Sequence, residues 1–174
     1  MKAFSLLLFF ILAACASKDP VLQPAVSDKV DCTMNFAEFH APLDVNSKNY
    51  RSAEQEVRDE TEKTTKQRAV LKTGEEVEFM GGGCAHVAYS FTFTKVKHKH
   101  KHIAATVQRA VGLLNKTAVT DKKKEPLLAA LKNAEKVNAK EIVEKQFELD
   151  CKPAVCTLDA REAGTIRLEY DFAL

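Results

Sequence analysis

Residues 84–96 alternate with a period of two: Ala85, Val87, Tyr89, Phe91 and Phe93 fall on one side, His86, Ala88, Ser90, Thr92 and Thr94 on the other. Successive side chains of an extended chain point to opposite faces, so this pattern specifies a strand with one apolar face and one small, polar face. A strand of this kind must find partners and a cover for its apolar face, which commits the chain to a sheet. The partners are legible too. Arg68 to Lys72 and Glu75 to Met80 flank Thr73-Gly74 as a hairpin. Phe147, Leu149 and Cys151 alternate, and so do Ile166, Leu168, Tyr170, Phe172 and Leu174 after a turn at Ala163-Gly164. These give five or six antiparallel strands, with a further short strand expected over Val30 to Phe36.

Between the two sheet regions the period changes. Ile103, Val107, Ala110, Val111 and Leu114 recur at helical spacing, as do Leu127, Leu128, Leu131 and Ala134 behind Pro126, a residue suited to a first helical turn. Helices are expected over Ile103–Lys116 and Pro126–Lys140. Two one-sided helices can cover one face of an antiparallel sheet whose other face is polar. The expected fold is therefore α+β, a two-layer sandwich of a five- to six-stranded antiparallel sheet with two covering helices. The stretch from Ser47 to Lys66, where Val57 is nearly the only large apolar residue, reads as a solvated helix or long loop. A content of 45% hydrophobic and 29% charged residues fits a globular chain and excludes a wholly disordered, collagen-like or multi-span membrane protein.

The N-terminus carries an address. Met1 and Lys2 give a positive start, Phe4 to Leu12 is almost wholly apolar, and Ala13, Ala14, Cys15 and Ala16 follow. The apolar run is about ten residues, short of the ~20 that a spanning helix needs, so it reads as an export signal. Leu12-Ala13-Ala14-Cys15 resembles the lipobox of bacterial lipoproteins, in which the cysteine becomes the lipidated first residue of the mature chain. The resemblance covers the signal alone. It implies a signal peptide over 1–14, lipidation of Cys15, and, because Ala16 rather than Asp follows the cysteine, anchoring in the outer membrane. Residues 15–30 are polar, with Pro20 and Pro24, and read as a tether with a span of about 20 Å. Residues 31–174 are expected to form a single α+β domain in the periplasm or at the cell surface. The competing site, cleavage after Ala16, would release a soluble chain beginning at Ser17.

Cys32, Cys84, Cys151 and Cys156 remain after lipidation, an even number that an oxidising compartment can pair. Four cysteines allow three pairings. Cys151 with Cys156 across a turn containing Pro153, and Cys32 with Cys84, is the preferred set, because the other two would span most of the domain. Gly81-Gly82-Gly83-Cys84-Ala85-His86 invites a nucleophile reading, but Cys84 and His86 on one strand face lie about 6.5 Å apart, too far for a direct thiol to imidazole hydrogen bond. Cys84 is read as half of a disulfide, and the glycines as a bulge or a sharp turn into the strand.

Charge is uneven. From Lys95 to Lys124 there are nine Lys or Arg against one acid, Asp121; Glu54 to Glu78 holds eight acids against five bases, and Glu141 to Leu174 eight against four. Within the basic segment, Lys97, His98, Lys99, His100, Lys101 and His102 form a candidate binding run. The lysines oppose cation capture and no carboxylate in the run orients an imidazole, so no metal site and no cofactor is expected. The partners expected for this segment are anionic lipid, lipopolysaccharide or an acidic protein, and not nucleic acid.

Paired carboxylates at a recognisable spacing, a Ser-centred elbow, a phosphate loop and a metal motif are all missing from the sequence, which favours a binding module over an enzyme. The reading is a membrane-anchored envelope lipoprotein with a small disulfide-containing binding domain, of inhibitor or immunity type. The alternatives are a structural or assembly component of the envelope, and a hydrolase using His86 with a distant acid.

Overall fold

The structure is a computed structural model and describes residues 36, 39–83, 86–97, 103–120, 122–136 and 146–173. In chain order the elements are β1 (Tyr50–Ala53), β2 (Val57–Asp59), β3 (Thr64–Leu71), β4 (Glu76–Gly82), β5 (His86–Thr94), α1 (Ile103–Lys116), α2 (Lys124–Lys136), β6 (Phe147–Cys151), β7 (Ala154–Asp159) and β8 (Ile166–Ala173). Every pairing is antiparallel, in the order β1-β3-β4-β5-β8-β7-β6, with β1 and β2 following one another along the same edge of β3. The fold is α+β: an antiparallel sheet and two helices. The helices carry the chain from the central β5 to the far edge, and two successive returns bring β8 back against β5.

The described sheet has eight strands, not five or six, and the surplus has a physical cause. β1 and β2 are short edge strands that satisfy backbone groups on β3 without burying an apolar face: only Tyr50 is buried in β1, and Val57 in β2 is exposed. Neither leaves a hydrophobic period to read, so the stretch taken for a solvated helix or loop contains two strands and the start of a third. β3 begins at Thr64 rather than Arg68 because its first buried positions are Thr65 and Gln67, polar residues that earn burial through hydrogen bonds. Gln67 Oε1 accepts from the Leu43 amide at 2.9 Å and its Nε2 donates to the Leu43 carbonyl at 3.0 Å, tying the segment before β1 onto the sheet. β7 is the return strand of the Cys151–Cys156 turn. The strand expected over Val30 to Phe36 lies outside the described residues except for Phe36, as does the end of the second helix beyond Lys136.

The apolar alternation packs as expected. Val77, Phe79, Phe91, Phe93, Leu158, Ile166 and Leu168 are fully buried on one face of the sheet, in a single cluster with Val107, Ala110, Leu113 and Leu114 of α1 and Leu127 and Leu131 of α2. Phe79 meets Phe91 edge to face at 5.2 Å, and Tyr89 stacks on Tyr170 at 4.8 Å. Such pairs add about 0.5–1.5 kcal/mol each beyond burial. Gly81 and Gly82 close β4 rather than opening β5. A Cβ on Gly81 would stand 2.9 Å from the Phe39 ring, and Gly82, at φ +131°, would bring one 2.1 Å from the Lys63 carbonyl oxygen.

A partly buried ion pair fixes α1 to the β3–β4 turn. Glu75 follows Gly74, whose φ of +98° makes the turn, and its side chain is 7% exposed; Arg109 from the middle of α1 donates to it. Thr73 donates to the other carboxylate oxygen. Burial raises the Glu75 pKa, but the hydrogen bonds from Thr73 and its own amide and the charges of Arg109 and Lys116 outweigh it, holding the carboxyl below its usual value.

Candidate functional site

With one face of the sheet packed on the helices, the other face is left to solvent among the described residues. Register sorts its side chains into rows across the strands. Arg68, Glu78, Thr92, Arg167 and Asp159 form one row; Lys66, Met80, Ser90, Glu169, Thr157 and Glu148 form the next; Gly82, Ala88, Asp171, Val155 and Asp150 form the third. The central strand contributes only the small side chains of Ala88, Ser90, Thr92 and Thr94, whereas β4 and β8 on either side carry longer ones. The result is a shallow trough. It holds two grooves: one of about 430 Å³ bounded by Glu54, Arg68, Glu76, Glu78, Thr92 and Thr94, and one of about 400 Å³ bounded by Met80, Ala88, Ser90, Val155, Thr157 and Glu169.

Three carboxylates on this face, Glu76, Glu78 and Asp159, are held below their usual pKa by their partners. Burial raises the Glu78 pKa, but hydrogen bonds from Arg68 and from Lys66 (3.0 Å) more than reverse this; Glu76 is lowered chiefly by its hydrogen bond from Lys95, and Asp159 by hydrogen bonds from Arg161. Glu169 accepts from Thr157 at 3.0 Å and pairs with Arg167. The two halves differ in sign. The outward positions of β3 and β4 balance Lys66 and Arg68 against Glu76 and Glu78, while those of β6, β7 and β8 set Glu148, Asp150, Asp159, Glu169 and Asp171 against Arg167. Met80 and Val155, at 42% and 48% exposure, are two of the three large apolar side chains on the described surface.

A second polar cluster lies at the β2 edge. Glu56 accepts from the Thr65 hydroxyl and from the Ala41 amide at 3.1 Å, with His40 Nδ1 at 3.2 Å, while Arg58 donates to the Phe39 carbonyl at 3.0 Å and lies 4.4 Å from the Phe36 ring. Burial raises the Glu56 pKa, but Thr65, Ala41 and His40 together bring it below its usual value. A histidine beside a carboxylate is half of an acid–base device. Here Thr65 donates to Glu56, and the arrangement fastens Phe36 and residues 39–41 to the sheet.

Of the residues singled out in the sequence, Cys151 and Cys156 are joined by a disulfide, with Cα atoms 5.9 Å apart. Cys15, Cys32, Cys84 and the run His98, Lys99, His100, Lys101 and His102 lie outside the described residues; Lys97 is exposed. Part of the basic segment is internal wiring. Lys95 pairs with Glu76, Arg109 with Glu75, Lys124 donates to the Thr117 carbonyl at 3.0 Å, and Lys123 lies 4.9 Å over the Phe39 ring. Sequence reasoning missed Val155, Thr157 and Asp159 as face residues. The signal was available: a bridge across a tight turn implies a strand on both sides of it, and Ala154, Cys156 and Leu158 alternate with those three.

Among the described residues no group of three or more His, Cys, Asp or Glu is placed to hold a metal ion, and no helix is long and apolar enough to cross a membrane. Comparison with protein-family models, curated proteins and solved structures finds no match for this chain. The outward face presents hydroxyls, carboxylates and two apolar side chains spread over a wide, shallow surface.

Proposed function

We propose that the chain is a lipid-anchored protein of the bacterial envelope whose domain, a two-layer α+β sandwich, binds a partner protein in the periplasm or at the cell surface, in the manner of an inhibitor or immunity-type protein. The observation that carries the reading is the division of labour across the sheet. One face is spent on the helices and the core, while the other presents two shallow grooves with polar walls and exposed Met80 and Val155. Wide, shallow surfaces of mixed polarity suit macromolecular contact better than enclosure of a small substrate. The anchor rests on the lipobox resemblance at Leu12-Ala13-Ala14-Cys15, and the polar residues after it would hold the domain clear of the membrane.

Two measurements test this. Cys15→Ser should abolish acyl labelling and leave unprocessed precursor; continued processing to a chain beginning at Ser17 would remove the anchor from the proposal. A photocrosslinking residue at Thr157 on the outward face, compared with one at Lys132 on α2, should capture one stoichiometric soluble protein from the envelope fraction. Capture of cell-wall or membrane machinery instead would replace inhibition with an assembly role.

A further inference from the structure

We propose that the outward face of β6, β7 and β8, together with Met80 of β4, is the docking surface for an extended cationic polypeptide segment that alternates basic and apolar side chains. This deepens the reading of the domain as a binding module and rests on it.

The argument starts from position. Val155 lies between Asp150 and Asp171 in its row, and the adjacent row brings Glu148 and Glu169 on either side of Thr157. An apolar side chain that is half exposed is thus ringed by four carboxylates, with Arg167 as the one base in the outward positions of these three strands. Acidic residues on β6 have an ordinary explanation, since charge on an edge strand discourages pairing with other chains. That explanation covers Glu148 and Asp150. It does not cover the exposure of Val155 and Met80, nor the acids on β8, which is paired on both sides.

The spacing then narrows the ligand. Val155 on β7 and Met80 on β4 are separated by three inter-strand steps and one row along the strands, or about 16 Å at the ~4.8 Å and ~6.8 Å spacings typical of a sheet. The floor between them is Ala88 and Ser90, small enough to admit a chain lying across the strands. In an extended peptide, side chains on one face recur every ~6.8 Å, so residues i and i+4 stand about 14 Å apart, and the flexible side chain of Met80 spans the remaining ~2 Å. A segment with apolar residues at i and i+4 and a lysine or arginine at i+2 would set the apolar pair on Val155 and Met80 and the cation between Glu169 and Asp171. Flanking cations would meet Glu148 and Asp150. Charge complementarity chooses a basic partner over an acidic or neutral one, and also predicts fast, salt-sensitive association.

The test uses the full mature protein in neutral detergent and dye-labelled peptides KVKKKVK, KSKKKSK and EVEEEVE, read by fluorescence anisotropy. KVKKKVK should bind, EVEEEVE should not, and KSKKKSK should bind about tenfold more weakly for want of the apolar pair. Binding should weaken as ionic strength rises from 0.1 to 1 M, where the Debye length shrinks from about 10 Å to about 3 Å. The double variant Glu148→Gln with Asp150→Asn should weaken KVKKKVK about three- to tenfold, and Val155→Ser about tenfold with the charges intact. All three positions are exposed, so an unchanged thermal melt confirms that the fold survives. Failure of KVKKKVK to bind, or binding untouched by both variants, overturns the inference while leaving the anchored-binder reading to its own labelling and crosslinking tests. A dimer in sedimentation that is lost in the same variants would show a second copy to be the occupant and overturn it as well. So would peptide binding that appears only after residues 16–35 are removed.

Discussion

Replacing Arg109 with Met should be among the more damaging changes on α1, although the residue is partly exposed and Met is a better helix-compatible filler than most. The substitution leaves Glu75, 7% exposed, without its guanidinium. Removing one member of a fully enclosed pair costs about 3–5 kcal/mol. Arg109 is 25% exposed, and Thr73 and Lys116 still face the carboxylate, so we expect ~2–3 kcal/mol, or a fall in melting temperature of about 6–9 °C at ~3 °C per kcal/mol for a domain of this size. Glu75→Gln keeps the hydrogen-bonding shape and should cost ~1–2 kcal/mol. The double variant should cost less than the two singles together by ~1–2 kcal/mol, since the second change removes a charge already orphaned. Urea unfolding is the assay, because guanidinium would screen the pair. Acid supplies an independent check. The folded pKa of Glu75 is depressed, so its ionised form contributes stability that is fully present above the unfolded value of about 4.3 and is lost as pH falls through the folded value. The deficit of Arg109→Met should therefore shrink between pH 7 and pH 3. Additive singles, or a deficit that is the same at both pH values, would show that Arg109 acts as packing and not as a counter-ion.

Two further outcomes follow from the backbone. The disulfide joins residues five apart, and closing so short a loop contributes about 2 kcal/mol through the unfolded chain, so Cys151→Ser should lower the melting temperature by ~5 °C; an unchanged melt would show the β6–β7 turn to be held by its strand pairing alone. Gly82→Ala forces a side chain into φ +131° and against the Lys63 carbonyl, and should cost ~2–4 kcal/mol in urea unfolding, whereas a loss below ~1 kcal/mol would mean the β2–β3 turn yields to it.

How far the sequence speaks depends on what each element does with its side chains. α1 reads correctly as Ile103–Lys116 because its buried residues, Thr106 apart, are apolar and helically spaced, and Thr117 ends it by donating to the Leu113 carbonyl at 3.0 Å. β5 and β8 are equally plain, since Tyr89, Phe91 and Phe93 of the one and Ile166 and Leu168 of the other are buried on one face at strand spacing. β3 is half legible. Its apolar half, ending in Ala69 and Leu71, announces itself, while its polar half is buried at Thr65 and Gln67, whose hydrogen-bond partners Glu56 and Leu43 lie too far along the chain for any periodicity to show. β1 and β2 fail for a related reason, since edge position and not a hydrophobic stripe holds them in place, whereas β7 carries a buried stripe of Ala154, Cys156 and Leu158 that the reading of Cys151–Cys156 as a local bridge passes over.

Charge shows the same limit at the surface. Counting along the chain makes Lys95–Lys124 the outstanding feature, yet counting ignores distance in sequence: Lys95 is matched by Glu76 and Arg109 by Glu75, both from β4 or the turn before it. The acidic surplus of Glu141–Leu174 looks weaker in a count, eight against four, but three antiparallel strands gather five of those acids onto one face, where Arg167 pairs with Glu169 and Arg161 with Asp159. Register concentrates what a linear sum dilutes. A fold needs no such concentration, because like charges in neighbouring outward positions repel and Val155 among them gains nothing from water. The sequence rule broken there is that exposed strand faces should mix their charges and hide their apolar side chains. Rules broken without a structural return are where binding is expected to supply one, which is why the face of β6, β7 and β8, and not the longer run of lysines, is the first surface to probe.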